Sequence, residues 1–96
     1  MSQNTYFRPI NGQAITVGVT SAQCATAFAA QTSLIRLATG AVGVFYRTGA
    51  NPTALVTDPY LPPNWTEYIT ATPGEKIACI QPTSPSGTFS VSELTN

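Results

Sequence analysis

The sequence predicts an all-β protein, an antiparallel β-sandwich or jelly roll of about seven or eight short strands. Apolar and polar residues alternate in short runs along most of the chain, which is the period expected for strands. Gly and Pro residues separate these runs. No apolar pattern is long enough for the crossover helix of a parallel sheet, so we expect the strands to pair antiparallel.

The alternation defines six runs. In chain order they are residues 15–20, 34–38, 42–47, 65–70, 76–80 and 89–92. Within residues 42–46 both alternating sets are apolar, so both faces of this strand are expected to be covered. This pattern is typical of an inner strand, or of a strand that a partner buries.

The segment 22–31 is ambiguous because it is rich in alanine. Ser21 could cap a helix there, since Ser is a favoured N-cap and Ala a strong helix former. A strand would instead place Cys24, Thr26 and Phe28 on one face. We prefer the strand because the flanking segments on both sides have strand patterns.

Two short connections have turn chemistry. In Thr72-Pro73-Gly74-Glu75, Pro suits the negative φ and Gly the positive φ of a type II turn. This turn is expected to join residues 68–71 to residues 76–80 as a hairpin. Thr39-Gly40 is expected to make a tight turn between residues 34–38 and 42–46.

The length of 96 residues fits one domain, taken as residues 1–96. Residues 1–12 form a possible N-terminal arm, and residues 48–64 form a long Pro-rich loop. Proline restricts regular sheet pairing to edges and bulges. Loops of this length are uncommon in small domains and often carry function.

Charged residues make up only 8 % of the chain, against about 25 % in a typical soluble domain. The hydrophobic fraction of 43 % is high enough to expect a folded core. The net charge is zero and no basic run occurs, so we expect no nucleic-acid partner. No apolar run approaches the length of about 20 residues that spans a bilayer, so we expect no membrane association.

The residue types required for common catalytic sites are missing. The chain has no histidine, which excludes Ser/His and Cys/His nucleophile pairs. Its two cysteines cannot alone fill a structural zinc site, and no phosphate-binding glycine motif occurs. The acids, including Glu67 on a predicted strand, are spread along the chain. We therefore predict no catalytic, cofactor-binding or metal-binding residues, no cofactor and no enzymatic activity.

Cys24 and Cys79 are expected to be reduced, small core residues. A single disulfide between them is the alternative, but the polar N-terminus carries no secretory pattern that would favour it.

Tyr60, Leu61 and Trp65 are the first candidate interface residues, because they cluster around the Pro-rich loop. Tyr and Trp are enriched at binding hot spots, and a Pro-stiffened loop loses less entropy on docking. The alternative interpretation is that Leu61 and Trp65 close one open end of the sandwich.

Tyr6, Phe7 and Arg8 are the second candidate group. They place two aromatic rings beside a positive charge before the first regular strand. As an arm, this segment could add to the sheet edge of a neighbouring subunit. The simpler alternative, which we prefer, is an ordinary first strand that pairs within its own domain.

The chain from about Ile35 onward also carries a pattern of turns and strand ends. It comprises IRLATG (35–40), VFYRTG (44–49), NPTA (51–54), YLP (60–62), EYI (67–69), PGEKI (73–77) and GTFSVSEL (87–94). This pattern resembles the small virion proteins encoded among the structural genes of tailed bacteriophages.

The resemblance implies a structural protein of the virion, assembled in the host cytoplasm, and above all a capsid cement or decoration subunit. Such subunits are β-rich and often trimeric, and they bridge neighbouring copies of the major capsid protein. The partners implied are therefore the major capsid protein or other virion subunits, with a homo-oligomer, preferably a trimer.

Two alternatives to a cement subunit remain open. The first is a head–tail or tail component, which is also structural. The second is a carbohydrate- or receptor-binding module, in which Trp65 or Tyr60 would stack on a sugar.

Overall fold

The computed structural model describes residues 8–83 and 87–95, and these contain eight strands and no helix. The strands form two antiparallel sheets of four. In spatial order, the first sheet comprises β1 (Arg8–Val17), β8 (Gly87–Thr95), β3 (Leu34–Thr39) and β6 (Thr66–Thr70). The second sheet comprises β2 (Ala22–Gln23), β7 (Lys76–Ile80), β4 (Val44–Gly49) and β5 (Tyr60–Leu61).

The strands of the first half pair with those of the second half in reverse order. β1 pairs with β8, β2 with β7, β3 with β6, and β4 with β5. Two further ladders, β3 with β8 and β4 with β7, join these pairs into the two sheets. A long antiparallel hairpin rolled over in this way is a jelly roll. The predicted fold class is confirmed.

The core lies between the two sheets and is formed by one alternating set from each strand. Its completely buried apolar side chains, at 0 % exposure, are Ile35, Leu37, Val44, Ile77, Cys79, Phe89 and Val91. Burial of one large aliphatic or aromatic side chain contributes about 1.5–3 kcal/mol. The alternation read from the sequence therefore identified the positions on which the fold depends most.

The predicted hairpin at residues 72–75 is wrong, although its turn chemistry is correct. The backbone N–H of Glu75 donates to the carbonyl of Thr72 at 3.1 Å, and Gly74 has a φ of 88°. This turn, however, carries the chain from β6 in the first sheet to β7 in the second. Thr39-Gly40 likewise leads from β3 to β4, in opposite sheets. Turn residues set the local backbone, but they do not decide which strand supplies the next ladder.

The predicted strand at residues 22–31 is correct only for Ala22–Gln23. Cys24 and Phe28 are buried as a strand would place them, whereas Thr26 is exposed. The backbone N–H of Phe28 still bonds to the carbonyl of Glu75, at 2.8 Å. The backbone N–H of Thr26 instead donates to Oε1 of Gln13 at 3.0 Å. A side chain therefore takes the place of a neighbouring strand as its hydrogen-bond partner.

The N-terminal strand is longer than the sequence predicts. β1 begins at Arg8, which lies opposite Thr95 of β8. Residues 8–12 of the possible arm therefore pair within their own sheet, as the preferred alternative expected. Residues 1–7 lie outside the described part of the chain.

The Pro-rich loop contains a strand that was not predicted. β5 comprises only Tyr60–Leu61 and lies at an edge of the second sheet, beside β4. An edge is where prolines next to a strand are tolerated. β4 is consequently an inner strand between β7 and β5, which is one of the two interpretations of its apolar pattern.

Candidate binding surface

The Pro-rich segment covers part of the outer face of the second sheet. Ala78 of β7 lies opposite both Gln23 of β2 and Arg47 of β4. Because the adjacent Cys79 belongs to the core, the three side chains in this row point outward. Ala78 is nevertheless 0 % exposed. Residues 51–58 cover it, since they bond to the side chains on both sides of it.

The segment is anchored to β2 by hydrogen bonds. The side-chain amide of Gln23 donates to Oδ1 of Asn51 at 3.0 Å. The backbone N–H of Ala54 donates to the hydroxyl of Ser21 at 2.8 Å. Pro52 and Ala54 are both buried. This end of the segment therefore has a fixed position on the sheet.

A second anchor joins the segment to β4. The guanidinium of Arg47 donates to Oδ1 of Asp58 from Nη2 at 2.8 Å and from Nε at 3.1 Å. Oδ2 of Asp58 accepts the backbone N–H of Leu55 at 2.8 Å. This backbone hydrogen bond, and after it the bond from Arg47, lowers the pKa of Asp58. Asp58 thus closes the turn 55–58 and neutralises Arg47.

The anchored turn presents apolar side chains to solvent. Leu55 is 47 % exposed and Val56 is 54 % exposed. Tyr60, which follows on β5, is 46 % exposed. Because both ends of the turn are held, docking a partner here costs little additional chain entropy.

A groove of about 280 Å³ lies next to these side chains. Its lining residues are Phe45, Val56, Tyr60, Gln81, Pro82 and Thr83, which we call the Phe45 groove. The rings of Phe45 and Tyr60 lie 4.8 Å apart between centroids and are tilted by 47°. Such a groove has the size and apolar character to accept an aliphatic or aromatic side chain.

The polar side chain in the groove is already satisfied. Nε2 of Gln81 donates to the carbonyl of Gly43 at 2.8 Å. Its Oε1 accepts the hydroxyl of Thr83 at 2.9 Å. Gln81 therefore shapes the groove without offering strong unpaired groups to a polar ligand.

Gly43 allows the edge strand to approach. A Cβ atom added at this position would lie 2.6 Å from the carbonyl oxygen of Leu61 and would also collide with the ring of Tyr60. Only glycine leaves room for Tyr60 to pack beside Phe45, so Gly43 is a structural requirement of the groove.

The structure separates the residues of the first predicted interface. Tyr60 lines the Phe45 groove, but Leu61 is 1 % exposed and belongs to the core. Leu61 is therefore a core residue and is not available to a partner. Trp65 is 56 % exposed and does not close the sandwich. It directly precedes β6 of the first sheet, whereas Tyr60 belongs to the second sheet.

The second predicted group is only partly described. Arg8 is exposed at the beginning of β1, in the first sheet, and takes no part in the Phe45 groove. Tyr6 and Phe7 lie outside the described residues.

Sequence patterns alone did not identify Phe45, Val56 and Pro82 as lining residues of the groove. Phe45 did carry a signal, because it belongs to the set of apolar residues in β4 that does not face the core. Val56 and Pro82 carried none, since they reach the groove from separate loops.

The acidic side chains of the strands have separate neutral partners. Oε1 of Glu67 accepts the hydroxyl of Tyr46 at 2.7 Å, across the space between the two sheets. Burial, and then this hydrogen bond, raises the pKa of Tyr46 to about 12. Glu93 is 1 % exposed, and its Oε1 accepts the backbone N–H of Ala29 at 2.8 Å and the hydroxyl of Thr32 at 2.6 Å. These contacts fit structural roles.

Cys24 and Cys79 are both buried and unpaired, as predicted for reduced core residues. Sγ of Cys24 accepts the backbone N–H of Ile77 at 3.4 Å. Burial raises the pKa of the Cys79 thiol to about 12. The thiol stays protonated near neutral pH and is therefore a poor nucleophile.

Within residues 8–83 and 87–95, no group of His, Cys, Asp and Glu side chains could hold a metal ion. The same residues include no helix that could cross a bilayer. No protein-family model, curated protein or solved structure matches the chain.

Proposed function

We propose that this protein is a structural subunit of a phage virion, and specifically a capsid cement subunit. It binds the assembled shell through the Phe45 groove and the apolar side chains beside it. The partner is the major capsid protein, and the protein performs no catalysis.

The observation that carries this proposal is an anchored loop that holds apolar side chains in solvent. Two side-chain anchors, at Gln23 and Arg47, fix the segment that displays Leu55 and Val56. These side chains remain exposed although the segment that carries them is fixed on the sheet. Large exposed apolar patches commonly mark interaction sites.

The scarcity of charge supports the same conclusion. Only 8 % of the residues are charged, and the charges of Arg47 and Asp58 beside this surface are already paired with each other. Little charge therefore has to be desolvated when the surface is covered, which reduces the cost of a largely apolar contact. The resemblance of the chain from about Ile35 onward to tailed-phage virion proteins supports the assignment to a phage particle.

The cement mechanism depends on the number of copies. Each copy buries a modest area, and a ligand that binds only the assembled state stabilises that state by mass action. Many weak contacts around the shell would then resist the pressure of the packaged genome.

A head–tail or tail component is the second candidate, and it would use the same apolar surface. The jelly-roll architecture does not separate the two, because a fold does not determine function. Location and copy number do separate them, since a cement subunit covers capsid faces and a tail component does not.

A carbohydrate-binding module is the candidate from a different class. Jelly rolls also serve as lectins, and exposed aromatic rings can stack on sugars. Binding of the isolated protein to a glycan array, with loss in Trp65→Ala or Tyr60→Ala, would favour this function over the cement function.

The cement proposal is tested by mixing purified protein with phage capsids stripped of their accessory subunits, and with mature capsids. We expect saturable binding of many copies per stripped capsid, distributed over its faces. Val56→Asp should weaken binding by about tenfold or more, because loss of a buried Val costs roughly 1.5 kcal/mol.

Val19→Asp is the matched control, because Val19 is 56 % exposed and Val56 is 54 % exposed, and Val19 does not line the groove. It should bind like the original protein. No binding to stripped capsids, or equal losses in the two variants, would refute the proposed function or its proposed surface.

A further inference from the structure

β6 lies at the open edge of the first sheet, and half of its backbone groups point away from β3. The N–H of Thr39 bonds to the carbonyl of Trp65, and the N–H of Ala71 bonds to that of Ser33. Along an antiparallel ladder, every second residue directs its backbone N–H and C=O groups to the same neighbouring strand. The backbone groups of Glu67 and Ile69 therefore also bond to β3. The N–H and C=O groups of Thr66, Tyr68 and Thr70 consequently face outward, away from the sheet.

The other long edge of this sheet, β1, carries the usual protections against pairing. Pro9 lies in this strand, and the register shifts between Pro9 and Asn11. Further along, Nε2 of Gln13 donates to the carbonyl of Thr26 at 2.8 Å, and Oε1 of Gln13 accepts the N–H of Thr26 at 3.0 Å. Proline, bulges and covering segments are established ways to block the addition of another strand.

β6 has none of these features. Its register with β3 runs without a shift from Thr66 to Thr70. Its side chains on the outer face, Thr66, Tyr68 and Thr70, are uncharged and exposed. Its one charged residue, Glu67, bonds inward to Tyr46. An edge this regular and neutral is a ready template for another strand.

We propose that β6 pairs antiparallel with β6 of a second copy, about a two-fold axis at Tyr68, to form one continuous eight-stranded sheet. Tyr68 then lies opposite the second copy's Tyr68, and Thr66 opposite the second copy's Thr70. All the outward backbone groups of Thr66, Tyr68 and Thr70 are hydrogen-bonded in this register.

The charges and side chains favour this register over the one centred on Glu67. An axis at Glu67 would bring two carboxylates directly opposite each other, and opposed like charges are destabilising. An axis at Tyr68 places Glu67 opposite the second copy's Ile69 instead. Aromatic pairs and threonine pairs across strands are favourable. Trp65, which is 56 % exposed in the monomer, lies opposite the second copy's Ala71 in this register.

This pairing is independent of capsid binding, since the Phe45 groove belongs to the second sheet. It also differs from the trimer that the resemblance to cement subunits implies. A two-fold dimer of this kind would present two grooves to the capsid.

Analytical ultracentrifugation of the purified protein over a range of concentrations tests the dimer. We expect a species of twice the 10.1 kDa monomer mass. Tyr68→Lys should abolish it, because two lysines would face each other across the axis. Thr16→Lys adds the same charge to the outer face of β1, the opposite edge strand, and should leave the dimer intact.

A cross-linking experiment tests the register. Paired residues in a hydrogen-bonded antiparallel position have Cα atoms about 5.5 Å apart, within disulfide range. Tyr68→Cys should therefore form a covalent dimer under mild oxidation. Thr66→Cys should not, because its counterpart is offset by four positions. Cys24 and Cys79 do not interfere, since both are buried.

Circular dichroism establishes that each variant is folded before its mass is compared. A purely monomeric or trimeric original protein would overturn the proposal. Equal cross-linking of the two cysteine variants would overturn the register.

Discussion

Glu93 occupies a position that strand alternation marks as apolar. It shares the inward face of β8 with Phe89 and Val91. The loop that needs its carboxylate, at Ala29 and Thr32, is 64 and 61 residues away in sequence. The pattern alone identifies the inward position, but it cannot identify partners so distant. From the sequence alone, Glu93 is therefore only one of the acids that are spread along the chain.

Tyr46 makes the stability of the fold decrease with rising pH in the alkaline range. Its pKa is raised from 10.0 to about 12 in the folded protein. A group with a higher pKa in the folded state stabilises the fold below its unfolded pKa, and this contribution is lost as the pH rises from 10.0 to about 12. The thiol of Cys79 has the same effect on stability, because burial raises its pKa from 9.0 to about 12.

We therefore expect the free energy of unfolding, measured by urea denaturation, to fall as the pH rises from 9.0 to about 12. In Tyr46→Phe the decrease above pH 10.0 should be smaller, because the ionising hydroxyl is gone. A stability that is flat or rising over this interval, or an unchanged slope in Tyr46→Phe, would contradict the assigned cause.

The strands show where sequence patterns succeed and where they fail. The ladder β3–β6 and the strand β7 occupy the residues that alternation marks, because each strand contributes one alternating set of side chains to the core. The predicted hairpin at residues 72–75 is wrong because most strands pair with partners that are distant in sequence. Within the described residues, β4 and β5 are the only consecutive strands that pair with each other. The Phe45 groove was missed for the same reason, because separate loops form it.

The turn at Gly74 offers a clean test of local backbone strain. A Cβ at Gly74 or at Gly12 would meet no atom within 4 Å, but only Gly74 has a positive φ, of 88°. We expect Gly74→Ala to lower the free energy of unfolding by about 1–2 kcal/mol, the cost of a left-handed L-residue. Gly12→Ala should cost little, because its β-strand backbone suits alanine.

Both variants are compared by chemical denaturation. A loss in Gly74→Ala no larger than that in Gly12→Ala would show that the turn relaxes to another geometry.

Only 8 % of the residues are charged and the net charge is zero, and this determines how the attachment of the protein should respond to salt. Association driven by charge weakens steeply as the ionic strength rises, whereas apolar association does not. We expect the affinity of the protein for stripped capsids to change by less than about threefold between roughly 50 and 500 mM NaCl. Equilibrium binding at a series of salt concentrations measures this.

A fall of about tenfold or more over the same range would assign the attachment to ion pairs with the capsid. Arg8 and Arg36 would then be the first residues to replace with Gln.

The pairing of the first strand with the last has a mechanical consequence. Arg8 and Thr95 lie side by side, and the hydrogen bonds between β1 and β8 run perpendicular to the strands. Tension that pulls Arg8 and Thr95 apart would therefore break the hydrogen bonds of this ladder one after another, at low force. Tension applied along the strands from opposite ends of the sheet would instead load many of these hydrogen bonds in shear at the same time, and would require a higher force.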